Sequence, residues 1–295
     1  FSMDALPTVG VTASALVPKA VITYLIGGRA EHYLDLLDSL TSLELNFLKR
    51  YPYPIIIFHE GLGPDEMERL RLIYHRLVFH RLDRQFLIPP DHIDPSKVPS
   101  LIGGHASVGY RHMCRFFSGT MFQYPLLRPY DWFWRLDSDS FILAPLSFDP
   151  FRRMKEGKHV YGYMGLGRED EYLTTGLWEA TSSYMLQHSI KEAPALLQHH
   201  LVPATSSSTP SSSSLPLGTW DRSYYYTNFE IGYLPFFRSE PYQSYFRHLD
   251  SEGGFYYYRW GDAPIRLLGV SIHAEEGSVC RFDDIPYSHK VYVVL

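Results

Sequence analysis

Short apolar runs of strand length alternate with helix-like patterns along the first third of the chain. The run Ala20–Ile26 is partly β-branched and ends at a glycine pair, and leucines then recur on one stripe over about Glu31–Lys49. A second apolar run, Tyr53–His59, comes next. Pro64 then opens an acidic helix start ahead of another strand-like segment, Leu77–Leu82. This alternation predicts an α/β fold built on a central sheet.

The composition narrows the class of ligand. The chain has 295 residues, of which 45% are apolar and 20% charged, so it is long enough for one large globular domain. A formal net charge of −5 gives no overall attraction for nucleic acid, and no basic run supplies a local one. Arginine accounts for 20 of the 27 basic residues, and there are 23 tyrosines. Guanidinium groups pair well with phosphate and aromatic rings suit sugars and bases, so the composition favours ligands of that chemistry.

The cysteine count and the hydropathy of the sequence exclude three further kinds of structure: a cysteine-based zinc module, a disulfide-rich scaffold and a membrane-spanning segment. The two cysteines, Cys114 and Cys280, are too few for a cysteine-based zinc module or a disulfide-rich scaffold, and whether they pair is left open by the sequence. No stretch of 18 or more apolar residues occurs, so we expect no membrane-spanning segment within this sequence. The sequence begins with Phe1, which fits a chain trimmed of a signal or anchor.

The organisation predicted is one large domain. We interpret residues 1–18 as an N-terminal stem or tail and residues 19–295 as the folded domain. Within it, Thr205–Ser214 consists of Ser, Thr and Pro, which indicates a flexible surface insertion that the fold does not need. Beyond it we expect an aromatic strand and two helices, over about Tyr224–Leu234, Pro235–Leu249 and Ala263–Val270.

Two acidic residues follow a strongly aromatic strand. A helix over about His105–Tyr124 precedes the predicted strand Asp131–Leu136, whose end carries Asp137 and Asp139. Residues two apart on a strand end point to the same face, so these carboxylates can hold one hard divalent cation that also binds a diphosphate. Ligands of open α/β sheets bind beyond the carboxyl ends of strands. On the local pattern alone, a polar turn is the more common explanation.

Two more acids lie in unusual settings. Glu230 stands between Phe229 and Ile231, so its carboxylate is either surface-facing by alternation or buried and functional. Asp262 precedes Ala263-Pro264, where the local pattern favours a helix N-cap over a catalytic acid.

Candidate basic residues are less distinctive. Arg111 and Arg115 lie in a helix-like segment and suit phosphate, but they fit equally well as solvated arginines on a core helix. His289 follows an acidic segment and suits a metal, although a single histidine is more often a surface or hydrogen-bonded residue.

Five segments of the chain stand out together: YRHMCRF, WRLDSD, NFEI, GGFYYYRWGDAP and FDDIPYSH. In their order and approximate spacing they resemble the fungal Golgi α-1,2-mannosyltransferases of glycosyltransferase family 15. Five motifs in the family's order are more specific than any one of them. The resemblance runs from about Lys19 to His289, with the serine-rich segment as an insertion.

The resemblance implies a GT-A type nucleotide-sugar fold with a mixed central sheet flanked by helices. It implies a metal-dependent enzyme that uses Mn²⁺ and transfers mannose from GDP-mannose, with retention, to the 2-hydroxyl of an acceptor mannose or related glycan. The implied location is the Golgi lumen, with the full-length protein held by a type II membrane anchor. Binding of nucleic acid is not expected.

The resemblance also implies roles for individual residues. The expected catalytic residues are Glu230, near the anomeric carbon, and Asp262, on the acceptor side. The expected metal ligands are Asp137, Asp139 and His289, and the expected donor-binding residues are Tyr110, Arg111, Arg115, Arg135 and Asp137. The sequence departs from the family at Asp137-Ser138-Asp139, where the family usually has Glu-Pro-Asp, and it has fewer cysteines.

The sequence leaves open the mechanism, the donor sugar and the class of protein. Glu230 would act either as a covalent nucleophile or as electrostatic support for attack on the same face as the leaving group. A different nucleotide sugar, for example a UDP-sugar, fits the same fold and mechanism. A glycoside hydrolase using Glu230 with Asp262 or Asp137, and a non-catalytic sugar-binding domain, are the alternatives from other classes.

Overall fold

A computed structural model describes residues 17–83, 86, 88–104, 106–202, 218–290 and 292–294. The strands within these ranges are β1 Ala20–Ile26, β2 Ile55–His59, β3 Leu77–Arg81, β4 Leu101–Ile102, β5 Ala106–Ser107, β6 Trp132–Leu136, β7 Ser140–Ile142, β8 Tyr161–Tyr163, β9 Leu166–Arg168, β10 Leu201–Val202, β11 Thr219–Trp220, β12 Ser223–Tyr225, β13 Phe229–Tyr233, β14 Val279–Arg281, β15 Tyr287–His289 and β16 Tyr292–Val294.

Helices alternate with these strands. A π-helical turn, Glu44–Leu48, extends the first helix. The α-helices in the described ranges are α1 Ala30–Leu43, α2 Pro64–Ile73, α3 Val108–Ser118, α4 Pro150–Glu156, α5 Leu177–Gln187, α6 Ala195–Gln198, α7 Leu234–Arg238, α8 Glu240–Ser251, α9 Gly254–Tyr257 and α10 Asp262–His273.

A mixed seven-stranded sheet forms the centre, with the strand order β14-β8-β13-β6-β1-β2-β3. The strands β1, β2, β3 and β6 run parallel, and β13 runs antiparallel to both β6 and β8. The carboxyl ends of β6 and β8 therefore lie at the same edge as the amino end of β13. This edge brings residues from distant parts of the sequence together.

Helices cover both faces of the sheet. Successive side chains along a strand point to opposite faces, so each strand contributes to two separate cores. On β6, Phe133 packs into the core formed with α3, α8 and α10, whereas Trp132 and Trp134 pack into the core formed with α1 and α4. All three side chains are at least 95% buried. Burial of these three aromatic side chains on both faces holds β6 in the centre of the sheet. The carboxyl end of β6 therefore lies at the sheet edge.

Two small sheets extend this edge. The strand β15 pairs antiparallel with β7 and β16, and β12 pairs antiparallel with β9. The first brings the end of the chain beside the residues that follow β6, and the second lies next to β13 in the sequence. Both therefore build on the side of the sheet where β6 ends.

The predicted α/β class and the mixed sheet flanked by helices are confirmed. The aromatic strand over 224–234 is in fact two strands, β12 and β13, because Thr227 and Asn228 form a turn between them. The helix over 105–124 is shorter than expected: α3 ends at Ser118, and 3₁₀ turns follow. The segment Thr205–Ser214 and most of residues 1–18 lie outside the described residues, so the domain boundaries stay predictions.

The state of the two cysteines and the hydropathy of the helices can be read from the described residues. Cys114 and Cys280 are both free thiols. None of the helices in the described ranges combines the length and the apolar character that a membrane crossing requires.

Gly232 provides a test of the packing around the central sheet. A methyl group at Gly232 would lie 2.2 Å from a ring atom of Phe133 and 2.5 Å from one of Phe237. Because these rings are buried, Gly232→Ala should lower the free energy of unfolding by about 1–3 kcal/mol in urea denaturation. Gly61→Ala is the matched control, since a methyl group there has no atom within 4 Å. Equal stability of the two variants would contradict the packing described here.

Candidate active site

The two carboxylates of the turn after β6 have different partners. The main-chain N–H of Asp137 donates to the carbonyl of Asn228 at 3.1 Å, which ties this turn to the start of β13. The carboxylate of Asp137 is 31% exposed and accepts from Arg135, whereas that of Asp139 lies beside His289. The two acids therefore flank one edge of the sheet but have different partners.

His289 reaches Asp139 because β15 pairs with β7 in a register that sets His289 opposite Ser140. The distance from His289 Nε2 to Asp139 Oδ1 is 3.0 Å. Burial alone would lower the pKa of His289, but the hydrogen bond and the negative charge of Asp139 outweigh it and raise that pKa. Burial also opposes ionisation of Asp139, yet the same contact lowers its pKa below the usual value. The other ring nitrogen, Nδ1, is buried and has no hydrogen-bond partner among the described residues.

Arg135 and Glu230 face each other across the β6–β13 pair. Their side chains are 2% and 0% exposed, and Arg135 Nη1 lies 3.7 Å from Glu230 Oε1. Arg135 also donates to Asp137 Oδ1 from Nε at 3.0 Å. Its guanidinium carbon is 3.6 Å from the centre of the Phe117 ring. A buried cation of this kind is stable only because acids surround it.

Arg266 holds the carboxylate of Glu230 from the other side. It projects from α10 and donates from Nε to Glu230 Oε2 at 2.8 Å and from Nη2 to Oε1 at 3.2 Å, which is a forked contact. The hydroxyl of Tyr161, on β8, donates to Oε2 at 3.0 Å. Arg266 itself is 0% exposed, and its Nη2 also donates to the carbonyl of Phe117 at 2.7 Å. Of the two explanations for Glu230, the structure therefore supports the buried one.

Asp262 completes the cluster from the first residue of α10. It accepts from Arg135 Nη1 at 2.5 Å and from the hydroxyl of Thr227 at 2.8 Å, both at Oδ2. Burial favours the neutral acid, but Arg135 and Thr227 outweigh that effect and lower the pKa of Asp262. The interpretation as a helix N-cap is wrong, because Gly261 occupies the cap position and the Asp262 carboxylate turns into the site.

Tyr110 lies at the rim of this cluster, on the first turn of α3. Its hydroxyl accepts from Arg259 Nη2 at 3.0 Å, and the Arg259 guanidinium lies 5.0 Å from the centre of the Tyr110 ring. The electrostatic interaction with the neighbouring Cys114, then burial, and to a smaller extent the charge of Asp262 raise the pKa of Tyr110 well above its ordinary value. The phenol is therefore a neutral hydrogen-bonding group.

The structure does not bring the two α3 arginines to the site. Arg111 donates to the main-chain carbonyls of Ser107 and Tyr256, which fastens α3 to α9. Arg115 makes a forked contact with Asp250, at 2.6 and 2.8 Å. Both are expected donor-binding residues, and in the structure their N–H groups are engaged in contacts between helices.

Sequence reasoning missed Arg266, Tyr161, Thr227 and Arg259. A signal was present for Arg266, since an arginine four residues after Asp262 on the same helix, within an apolar stretch, must lie on the same face as that acid. The Tyr161 contact depends on how β8 pairs with β13, and that pairing is not readable from local pattern.

The donor set at the sheet edge matches a hard divalent cation in kind. Carboxylates and an imidazole are suitable ligands, and the orphaned Nδ1 of His289 leaves a coordinating atom available. Within the described ranges, however, no three His, Cys, Asp or Glu side chains are grouped closely enough to hold an ion. Asp137 is paired with Arg135 and also interacts electrostatically with His289 and Asp139.

A sizeable cavity lies away from this cluster. A cavity of about 870 Å³ opens at the amino ends of the parallel strands, beside Tyr51, Tyr53 and Arg153. Arg153 is already held by a forked contact with Asp284 at 2.7 and 2.8 Å. Buried charge rather than volume identifies the site, because the side chains of the opposite edge are charged and at most 4% exposed: Arg135, Glu230, Asp262 and Arg266.

Comparison with known proteins gives a consistent family. A family model described as glycolipid 2-alpha-mannosyltransferase matches residues 5–294. The chain is 32% identical over 265 residues to probable mannosyltransferase KTR3 of Saccharomyces cerevisiae, covering 86% of this chain and 63% of that protein. It is 31% identical to glycolipid 2-alpha-mannosyltransferase 2 of Candida albicans, covering 93% and 59%. The chain thus spans about three fifths of the length of these relatives.

Solved structures agree with the fold. Core-mannan synthase A from Aspergillus fumigatus, in a form with Mn and GDP, superposes with a TM-score of 0.82 at 26% identity, over 93% of this chain and 75% of that one. The mannosyltransferase Ktr4p from S. cerevisiae, in complex with GDP, gives 0.81 at 28% identity, over 99% and 76%.

The fork between Arg266 and Glu230 can be tested by its effect on stability. Arg266→Met leaves the Glu230 carboxylate buried without its main counter-charge, so we expect a loss of about 3–5 kcal/mol in the free energy of unfolding. The double variant Arg266→Met with Glu230→Leu removes both charges and should regain a large part of that loss in urea denaturation. Additive losses in the double variant would show that the two side chains do not form a coupled pair.

Proposed function

Since the chain belongs to the glycolipid 2-alpha-mannosyltransferase family, we propose that it is a retaining, metal-dependent transferase that moves mannose from GDP-mannose to the 2-hydroxyl of an acceptor mannose. The observation that carries the proposal is the arrangement at the sheet edge. There Asp139 and His289 form a pair 3.0 Å apart, next to a buried cluster of Glu230, Asp262 and Arg135. Such an arrangement separates a diphosphate-binding edge from a carboxylate that can face a sugar.

The residues that follow β6 would bind the diphosphate of the donor. Asp139 and His289 would hold a manganese ion, and Asp137, which is paired with Arg135 here, would be the third ligand. When bound, the ion would supply Lewis-acid stabilisation of the leaving diphosphate. Arg135 lies directly behind Asp137 and keeps that carboxylate oriented through N–H groups at 3.0 Å. The positive end of the site is therefore Arg135, whereas Arg111 and Arg115 support the surrounding helices.

Glu230 is suited to electrostatic support of the sugar. Its Oε2 already accepts hydrogen bonds from Arg266 and Tyr161, and its side chain is 0% exposed. A carboxylate fixed in this way stabilises a developing oxocarbenium ion by charge, with little movement. Covalent attack would need one oxygen to be uncovered first. The contacts therefore favour same-face attack over a glycosyl-enzyme intermediate.

Asp262 is suited to orienting the acceptor. Arg135 lowers the pKa of Asp262, so it is ionised near neutral pH and accepts hydrogen bonds but is a weak base. In same-face attack, the acceptor oxygen forms its bond to the anomeric carbon as the bond to the diphosphate oxygen breaks. The hydroxyl proton then passes to the departing diphosphate oxygen, and Asp262 aligns the hydroxyl.

Location in the Golgi lumen behind a membrane anchor is part of the same proposal. It rests on the family resemblance.

Nucleotide binding separates the proposed donor from its alternatives. Titration calorimetry should detect GDP binding that strengthens with Mn²⁺, and Asp139→Asn should remove the metal-dependent part because it weakens an ionic ligand. Asp91→Asn, at an exposed aspartate, should bind as the wild type does. Preference for UDP would contradict the assignment of GDP-mannose as the donor. Failure to bind either nucleotide would favour a non-catalytic sugar-binding domain.

Glu230→Gln tests the role of the central carboxylate. The variant keeps the shape of the side chain but removes the negative charge, so kcat should fall by orders of magnitude while GDP affinity stays nearly unchanged. Steady-state transfer from GDP-mannose to methyl α-mannoside measures the first quantity, and calorimetry measures the second. A variant with wild-type turnover would exclude Glu230 from the reaction.

A further inference from the structure

We propose that the cavity at the amino ends of the parallel strands binds a phosphorylated sugar, at a site separate from the candidate active site. This amino-end cavity has a volume of about 870 Å³, and ordinary small-ligand sites have about 300–1,000 Å³. Residues that precede β1, β2 and β3 line it, together with α4 and the loop before α4. Binding there would be independent of the proposed transferase reaction.

The amino-end cavity lies at the far end of the strands from the acids of the candidate active site. Trp132, the first residue of β6, pairs with Ala20, the first residue of β1, and Asp137 follows the last residue of β6. A strand rises about 3.3 Å per residue, so the length of β6 separates the two ends by about 15 Å. A ligand with one sugar ring in the cavity therefore does not contact Asp137 or Asp139.

Arginine side chains give the cavity its charge. Its lining holds four arginines and two acids, in a chain whose net charge is −5: Arg50, Arg76, Arg152, Arg153, Asp149 and Glu156. Arg153 is paired with Asp284, and Arg152 lies 3.5 Å from Glu156. Arg50 and Arg76 form no ion pair with any described residue. The cavity therefore has two guanidinium groups whose charge the protein leaves unbalanced.

The buried acid of the wall is already engaged by the fold. Asp149 accepts from the hydroxyl of Tyr53 at 2.6 Å through Oδ2. Its Oδ1 accepts from the main-chain N–H of Phe151 at 3.0 Å, which caps the start of α4. Because both oxygens have donors of their own, Asp149 does not neutralise Arg50 or Arg76.

Aromatic rings form the floor beside these arginines. Tyr53 is 5% exposed and packs edge-on against Phe151, with ring centres 4.7 Å apart. Tyr51 and Phe148 are half-buried, and Arg153 covers one face of Phe148 at 3.6 Å. Partly covered rings next to donors suit a ligand that has both C–H surfaces and hydroxyl groups, as a sugar has.

The main chain of the wall is held in place without a ligand. Tyr53 lies between two prolines, whose φ angles are fixed by their rings. Its N–H donates to the carbonyl of Tyr51 at 2.8 Å, and its carbonyl accepts from the hydroxyl of Tyr74 at 2.7 Å. The carbonyl of Arg76 accepts from the N–H of Ile55 at 3.0 Å. Binding would therefore need little ordering of this backbone, which favours affinity.

The mixture of charges selects a sugar phosphate rather than an anionic membrane surface. Guanidinium groups form forked contacts with phosphate, which suits Arg50 and Arg76. Sugar hydroxyls can donate to a carboxylate, and Glu156 lies on the same wall. The side chain of Glu156 is 71% exposed, so it would repel the headgroups of an anionic bilayer. A sugar ring with one phosphate uses both signs of charge.

Titration calorimetry of the full chain in EDTA tests the ligand class. Mannose 6-phosphate should bind at one site. Inorganic phosphate and mannose should each bind about tenfold more weakly or worse, because each makes only part of the contacts. No binding of mannose 6-phosphate, or equal affinity for inorganic phosphate, would overturn the proposal. Binding to phosphatidylserine vesicles without binding of mannose 6-phosphate would also overturn it, in favour of a lipid headgroup.

Charge-removing variants test the location. Arg50→Gln and Arg76→Gln should each weaken binding of mannose 6-phosphate about tenfold, since each removes a charge-assisted hydrogen bond. The Arg50 side chain is exposed, so its variant should keep the wild-type melting temperature. Arg69→Gln is the matched control, because Arg69 is an exposed arginine on α2 outside the cavity lining, and it should bind as the wild type does. Equal weakening in all three variants would indicate an effect of overall charge and contradict the site.

A variant at the opposite edge separates this site from the candidate active site. Asp139→Asn should bind mannose 6-phosphate as the wild type does, because Asp139 lies at the other end of the strands. Altered binding in Asp139→Asn together with unaltered binding in Arg50→Gln would place the phosphate at the candidate active site and overturn the proposal. The titration uses neither GDP-mannose nor metal, so a protein that transfers no mannose could still confirm the cavity as a binding site.

Discussion

The buried charge of Arg135 is the constraint on which the rest of the site depends. A guanidinium in the middle of a seven-stranded sheet is strongly unfavourable unless acids surround it. Here the register of β6 and β13 supplies Glu230, the start of α10 supplies Asp262, and the residue after β6 supplies Asp137. Each acid comes from a different segment, so the sheet and α10 must be correctly assembled before Arg135 is neutralised. The same contacts that stabilise the fold also set the orientation of the proposed catalytic carboxylates.

The cluster also explains why the acids differ in character. Glu230 is shared between two arginines and a tyrosine and has no exposed surface, so its oxygens are fixed. Asp262 is ionised through Arg135, and Asp139 is ionised through His289. In the proposed reaction the negative charges therefore have separate tasks: Asp139 at the diphosphate, Glu230 at the sugar and Asp262 at the acceptor hydroxyl. A transferase needs separate carboxylates for the diphosphate, the sugar and the acceptor hydroxyl if the leaving group and the acceptor occupy the same face of the sugar.

Much of this arrangement was predictable from the sequence, and the reason for the rest is physical. The strands β1, β2 and β6 are continuous apolar runs with a clear length, and the motif residues Glu230, Asp262 and His289 were expected as site residues from the family resemblance. Partners across the sheet were not predictable, because pairing of β13 with both β6 and β8 is a long-range event. Arg266 and Tyr161 became visible only with that pairing. Local pattern also favoured an N-cap at Asp262, whereas tertiary contact with Arg135 turns its carboxylate inward.

The stereochemistry of the product tests the central claim most directly. Wild-type protein would be incubated with GDP-mannose, Mn²⁺ and methyl α-mannoside, and the disaccharide formed would be analysed by proton and carbon NMR. The proposed same-face attack, with Glu230 supporting the charge on the sugar and Asp262 aligning the acceptor hydroxyl, predicts an α-linked mannose on the 2-hydroxyl, with the configuration of the donor retained. A β-linked product, or linkage to a different hydroxyl, would contradict the assignment of these carboxylates.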